Sequence, residues 1–380
     1  MKRFAVEMSW VVLAALACLG LAACGMTHPR PPKPEAATTV LPPWHPRPGH
    51  ERPLIAIIGS NRGTELSDLL VPFGILSRDP GLQVEAVAAD DGVLATFTDM
   101  GAPGPRLQMQ ATIASFDAQH PQGADFVVVP ALASEASLVD WLRQQAAKGA
   151  TLVSICNGAL VVAQSGLFAG RSATAHWSTE DERNRTYPTI HWVRDRRYVA
   201  DGGWISTTGV SAAVPASLAL IEAIDGRPEA ERIAQDLGVS DWSPRHDTNA
   251  YKPHLAGTAW PLAAVAYTNR WFHHRDAIRI HADEGVDEVS LALTLDAYAS
   301  TGRSLAFVDT GTAATVTTRH GLTLLADAPP PKSDIATITP PTARPATALD
   351  TALDGIMRRY GQATAKGVAL VFEYPKPDHP

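Results

Sequence analysis

The chain has 380 residues, of which 45% are hydrophobic and 19% charged, with a formal net charge of −7. That balance belongs to a globular protein with room for one large or two modest domains. The acidic surplus argues against a nucleic-acid partner.

Lys2 and Arg3 precede an unbroken apolar and small-residue run from Trp10 to Leu21, and Leu21-Ala22-Ala23-Cys24 closes it. This is the layout of an export signal over residues 1–23, too short to read as a spanning helix. The closing tetrapeptide resembles the lipobox of bacterial lipoproteins. The resemblance implies cleavage before Cys24 and its acylation, against an ordinary cleaved signal or an uncleaved anchor. Gly25 in place of an Asp points to the outer membrane. The expected location is therefore a lipid-anchored protein facing the periplasm, with the membrane reached through Cys24. Loss of Lys2, Arg3 and Glu7 takes the mature charge to −8. Cys18 leaves with the signal and Cys24 is acylated, so Cys156 alone remains a thiol. An odd cysteine in an oxidising compartment is a reactive thiol, an intermolecular pairing site or an inert core residue.

Residues 24–53 read as a tether, because Pro29, Pro31, Pro32, Pro34, Pro42, Pro43, Pro46 and Pro48 favour extended chain without a core. Short apolar runs then alternate with amphipathic segments, the pattern of a parallel sheet covered by helices. Strands are expected at Leu54 to Ile58, Leu82 to Ala88, Phe126 to Val129 and Thr151 to Ile155, with shorter ones near Arg171 to Ala175 and Trp204 to Thr208. Helices are expected at Glu65 to Ser77, Ser137 to Lys148, Ala159 to Ser165 and Ala212 to Ile224. The fold class is a doubly wound, mostly parallel α/β sheet over residues 54–243.

After a connecting segment at 244–276, residues 277–380 echo the first domain as a degenerate half-repeat. Ile278 to Glu288 repeats strand, glycine and acidic helix start, with Gly285 in the place of Gly63. Ser333 to Pro340 answers Ala124 to Pro130, and Ala365 to Val371 answers Ala147 to Val153. In this pairing Tyr374 stands for Cys156 and Ser290 or Leu291 for Asp68, and the chain ends before the remaining elements.

Ile155-Cys156-Asn157-Gly158-Ala159 lies between a buried strand and a helix, the layout of a nucleophile elbow. Small residues at 158 and 159 let strand and helix approach closely, and the helix amides favour a thiolate. The amides of Asn157 and Gly158 are candidate oxyanion donors. Here the sequence resembles the ThiJ/PfpI superfamily, related to class I glutamine amidotransferases and flavodoxin-like in fold, and particularly the amino-terminal domain of GlxA-like AraC-family regulators. The matching residues are Cys156 to Ala159, Ser165 to Trp177, Tyr187-Pro188, Asp201-Gly202-Gly203 and Thr208 to Ala212, within a region from about Pro53 to Ser240.

The resemblance implies that Asp68, four positions before Pro72, hydrogen-bonds the cysteine sulfur; a solvated helix-face carboxylate is the other reading. A carboxyl desolvated beside a thiolate tends to be protonated. His176, twenty positions beyond Cys156, falls on the family's histidine, either a base or a wall of the pocket, unless it is a core histidine satisfied by backbone. No third member of a triad can be named. Where many relatives carry Pro-Gly-Gly, this chain has Pro130-Ala131-Leu132, a form some regulator domains share; the Ala131 amide remains a candidate oxyanion donor, yet the change casts doubt on efficient acyl transfer. His273, His274 and His281 fit no known metal-ligand spacing and read as a surface cluster, so neither metal nor cofactor is expected.

Two functions follow. In the first, Cys156 is the nucleophile of a hydrolase or hydratase acting on a small electrophile, with Asp68 moving the proton. In the second, the same pocket binds a small ligand or senses redox state without turnover, as the resemblance to regulator domains implies. Relatives of this family often dimerise, and the half-repeat could occupy that surface, so a homodimer stays an open alternative.

Overall fold

The computed structural model describes residues 38–47, 49–327 and 335–375. The export signal, Cys24 and most of the tether lie outside the described residues.

Strand β1 (Leu54–Gly59) is buried at every position, as a run of Leu and Ile must be when helices cover both faces of a parallel sheet. It is flanked by β2 (Gln83–Ala88) and by β6 (Phe126–Val129), with β7 (Thr151–Ser154) and β9 (Trp204–Thr207) beyond β6. The hairpin strands β3 (Leu94–Phe97) and β4 (Pro103–Gln108) leave this sheet, and the two-residue β5 (Ala111–Thr112) forms its far edge. With β8 (Tyr198–Asp201) the order is β8-β9-β7-β6-β1-β2-β5 in a 7-stranded sheet, parallel throughout except for the β8–β9 hairpin.

Alternate side chains of β1 serve different layers, because successive residues of a strand point to opposite faces. Ile55 and Ile57 join a core with helices α1 (Leu66–Leu76) and, later in the chain, α4 (Ala213–Asp225). Ala56 and Ile58 join a second core with α2 (Ala136–Ala147) and α3 (Gly158–Gln164). Every strand and helix expected between residues 54 and 224 forms. The helix α5 (Arg227–Leu237) follows α4 through Gly226.

The second half is built on a smaller parallel sheet. Strands β10 (Asp276–His281), β11 (Ser304–Asp309) and β14 (Ile335–Ile338) lie in the order β11-β10-β14, which matches β2-β1-β6 in both order and direction. Helix α6 (Glu288–Ala299) occupies the position of α1, and the hairpin β12 (Thr315–Thr317) and β13 (Thr323–Leu325) that of β3 and β4. Glu65 caps α1 and Asp287 caps α6, so Ser290 stands where Asp68 stands in the first half.

The third echo is corrected. Ala365 to Val371 lie inside helix α8 (Gln362–Val371), and Tyr374 follows that helix, so neither stands in for β7 or Cys156. A short run of small and apolar residues fits a buried strand and a buried helix equally, and pattern alone does not separate them. The true counterpart of α8 is α5. Helices α4 and α7 (Ala348–Tyr360) each have 13 residues and follow a three-residue turn of 3-10 helix. Each then passes through a glycine of nearly the same conformation, Gly226 at φ 90°, ψ 166° and Gly361 at φ 89°, ψ 165°. The chain therefore does not end before the last elements of the pattern. It omits the middle: six residues separate Ile338 from Pro345, where 80 separate Val129 from Val210.

The two halves meet through like elements. Helix α6 lies against α1, and β13 pairs antiparallel with β4, which joins the two hairpins with Thr64–Glu65 in a 5-stranded sheet. Those faces of the first half are thus covered by the second half of the same chain. No helix among the described residues is long and apolar enough to cross a membrane.

Candidate functional site

Cys156 sits between β7 and α3 with φ at +53°, one of four non-glycine residues in the left-handed region among the described residues. A side chain there costs conformational energy that the surroundings must supply. Gly158 shows how tight the bend is, since a Cβ on it would stand 2.0 Å from the Val129 carbonyl oxygen. The Cys156 amide donates to Thr207 Oγ1 at 3.1 Å, and the Gly158 amide closes a turn on the Ile155 carbonyl at 2.8 Å.

Asp68 is fully buried on the first turn of α1. Its Oδ2 accepts from the Ala131 amide at 3.0 Å and its own amide donates to Glu65 Oε2 at 2.6 Å. The Ala131 amide is therefore held by Asp68 rather than left for an oxyanion. Burial, aided by the charge of Asp296 and opposed by the Ala131 amide and by a side-chain hydrogen bond with Glu65, raises this carboxyl to about 7.

Asp68 has company that the sequence did not reveal. Glu65 and Asp296 are buried around it, and Asp99 is half-buried there. Glu65 is pushed well up by burial, then by Asp296, Asp68 and Asp99, and Asp99 is pushed well up by burial, then by Asp296, Asp68 and Glu373. Asp296 is also raised by burial, but several donors oppose this, including Ser67 Oγ at 2.7 Å, the Asp99 amide at 2.9 Å and Ser300 Oγ at 3.2 Å. It is the member of the cluster best equipped to carry the charge. Only Glu65 left a local signal, an acid at the helix cap three residues before Asp68.

The thiol feels this environment. Cys156 is 1% exposed, and burial followed by the charges of Asp68, Asp99, Glu65 and Glu373 raises it well above the ordinary cysteine value. The expected thiolate is thus reversed in this arrangement. Helix α3 has seven residues, and its amides face a group ringed by carboxyls.

His176 is buried but engaged elsewhere. Its Nε2 lies 2.8 Å from the Val371 carbonyl oxygen and its Nδ1 2.7 Å from Ser178 Oγ. Burial lowers its basicity, against the raising influence of Glu373. Glu373, at φ +52°, holds the Trp177 amide at 2.9 Å, sits 2.9 Å from His246 Nε2, and is driven down to about 2 because these partners outweigh its burial. Gly209 permits the approach, since a Cβ there would meet His176 Cδ2 at 2.8 Å and Glu373 Cγ at 3.0 Å. The structure thus places Asp68 near enough for its charge to raise the Cys156 thiol but gives its carboxyl to the Ala131 amide, with no hydrogen bond to the sulfur among the described residues, and it places His176 in a second cluster closed by the carboxy-terminal segment.

An open cleft of about 340 Å³ adjoins the elbow, lined by Phe97, Ala131, Asn157, Leu160 and Tyr187 among others. Neither Cys156 nor Asp68 is among its lining residues. His273 and His274 are exposed, and His281 lies 3.0 Å from Asp283. No group of three or more His, Cys, Asp or Glu side chains suited to a metal ion occurs among the described residues.

A doubly wound α/β domain with a cysteine elbow and a buried acid on its first helix defines the class, and comparison with known proteins names it. The DJ-1/PfpI family model matches residues 55–223, and the chain carries a domain of that family. An isonitrile hydratase from Pseudomonas putida is 27% identical over 199 residues, 50% of this chain and 80% of the hydratase. The HTH-type transcriptional regulator CdhR of Pseudomonas aeruginosa is 33% identical over 118 residues, and protein dj-1beta of Drosophila melanogaster 31% over 107. These matches span only 35% of the regulator and 56% of dj-1beta, and 31% and 28% of this chain. Among solved structures, a ThiJ/PfpI family protein from Pseudomonas syringae is similar at TM-score 0.43 and 20% identity, over 58% of this chain and 86% of its own.

Proposed function

We propose that this chain is a cell-envelope enzyme of the hydratase or hydrolase type, in which Cys156 adds to a small uncharged electrophile admitted through the cleft beside the elbow. The observation that carries this reading is the pairing of a neutral thiol with a carboxyl held near 7, both withdrawn from water. Such a pair has no cation to receive an anionic substrate and suits a polar but neutral one, such as an isocyanide or a reactive carbonyl. With an isocyanide, sulfur bonds to the terminal carbon and Asp68 Oδ1 relays the thiol proton to the same carbon. The resulting thioimidate then takes up water and releases a formamide with the thiol restored. Acid catalysis by a group titrating near the working pH is efficient. The similarity to an isonitrile hydratase supports this substrate class.

The sealed thiol, the engaged His176 and the Ala131 amide held by Asp68 favour a second reading, a small-molecule-binding or redox-sensing module with no turnover. One assay separates the two. The protein is incubated with a small alkyl isocyanide, and formamide release is followed for the unaltered chain, Cys156→Ser and Asp68→Asn. Turnover that falls at least about a hundredfold in both variants supports the enzyme. Absence of turnover, with binding retained in Cys156→Ser, assigns the module.

A further inference from the structure

Residues 251–275 contain no Asp or Glu in a chain whose net charge is −7; they hold the exposed Arg270 and Arg275 with His254, His273 and His274, while Lys252 is paired with Glu180. The same stretch carries all of the exposed aromatic side chains among the described residues: Trp260 (65% exposed), Tyr267 (66%), Trp271 (80%) and Phe272 (80%), with Leu255 at 99%. The other described aromatic rings are buried or half-buried, and clustered exposure of this kind marks an interaction surface.

The geometry shows a helical run with two apolar sides. Residues 259–272 pass through an α-helical turn (Ala259–Ala263), a π-helical turn (Ala264–Thr268) and a further α-helical turn (Asn269–Phe272). Pro261, Ala264, Val265 and Asn269 face inward. There Gly367 of α8 is pressed so close that a Cβ would meet the Pro261 carbonyl oxygen at 2.3 Å, and Asn269 Nδ2 donates to the Thr301 carbonyl at 2.7 Å. Trp260, Tyr267 and Trp271, spaced by seven and then four residues, point the other way on one helical face.

We infer that this basic aromatic face lies in the headgroup layer of an anionic lipid bilayer and docks the folded unit against the membrane. Tryptophan and tyrosine favour that layer because their rings are apolar and their N–H or O–H groups polar. Helices with aromatic anchors and flanking cations lie along such surfaces. Charge selects lipid over a second copy of the chain, since a two-fold contact through this face would set Arg270 and Arg275 against their own equivalents. The proposal rests on the envelope location read from the lipobox.

The test uses residues 36–380, a single compact unit that carries neither the signal nor Cys24. It is sedimented with vesicles of phosphatidylethanolamine and phosphatidylglycerol, and with vesicles of phosphatidylcholine alone, while tryptophan emission is recorded. The expected result is partition onto the anionic vesicles with a blue shift, weakened at least about tenfold in Trp271→Ser/Phe272→Ser and sharply reduced by salt in the unaltered protein. Near-ultraviolet circular dichroism checks that the variant folds. Absence of partition overturns the proposal. So does a self-association that the double variant abolishes, or binding to nucleic acid in place of vesicles. Palmitate labelling of the full chain in a bacterial host, compared with Cys24→Ser, tests the anchor separately: labelling without vesicle binding removes the docking face, and vesicle binding without labelling removes only the anchor.

Discussion

Ser67 and Asp296 stand 229 positions apart and are joined by a 2.7 Å hydrogen bond in which the serine hydroxyl donates to Asp296 Oδ2. Through this contact the second half places a carboxyl inside the cluster of acids around Asp68.

Replacement of Asp296 by Asn is expected to stabilise the protein at alkaline pH. The folded-state value of Asp68 is raised from 3.8 to about 7, so its burial costs little below pH 4 and costs progressively more as the pH rises through 7, on the order of 4 kcal/mol at full ionisation. Removal of the Asp296 charge lowers that folded value and shrinks the loss. Thermal melts at pH 5 and pH 8 decide the matter: the variant should gain on the parent between the first and the second. An equal deficit at both would show that Asp296 matters only for packing.

Glu373 should behave in the opposite sense. Its folded value is lowered from 4.5 to about 2, so its contribution is present above pH 4.5 and disappears as the pH falls toward 2. Glu373→Gln is expected to cost roughly 3 kcal/mol at pH 6 and to match the parent near pH 2. Chemical denaturation at the two pH values checks this, and a deficit that persists in acid would rule it out.

Iodoacetamide should label Cys156 at pH 7 at least about tenfold more slowly in the native protein than in urea, since the thiol is both buried and held neutral. Labelling faster than that of free cysteine would mean that the resting state is open and charged.

Gly158→Ala should be among the most damaging single-methyl additions in the molecule. Its Cβ cannot coexist with the Val129 carbonyl oxygen at 2.0 Å, so β6 or α3 must move. A loss of about 3 kcal/mol or more in urea unfolding is expected, with the elbow displaced. A neutral effect would show that the strand and helix are not in contact there.

The first half was legible residue by residue because each signal is local. Leu54 to Ile58 and Thr151 to Ile155 announce covered strands, and the small residues after Cys156 announce a tight elbow. The hairpin strands Thr315–Thr317 and Thr323–Leu325 escaped notice, since three-residue strands with exposed threonines carry almost no pattern and are fixed by pairing with Pro103–Gln108. The run Ala365 to Val371 has a composition that suits either element, so its likeness to Ala147 to Val153 did not reveal that it lies inside a helix, which in the structure packs closely against Pro261.

What the amino-acid order settled by itself is the doubly wound domain, the elbow at Cys156 and the acid on the helix before it, all of which depend on neighbours within a few turns of chain. Only the tertiary structure decided that the charges of Asp99 and Glu373 act on that sulfur, that Asp296 joins the acids around Asp68, that His176 turns to Val371, and that the thiol rests neutral. Charges and hydrogen bonds act across a few ångströms of space whatever their separation along the chain, and a sequence displays only the second of those distances.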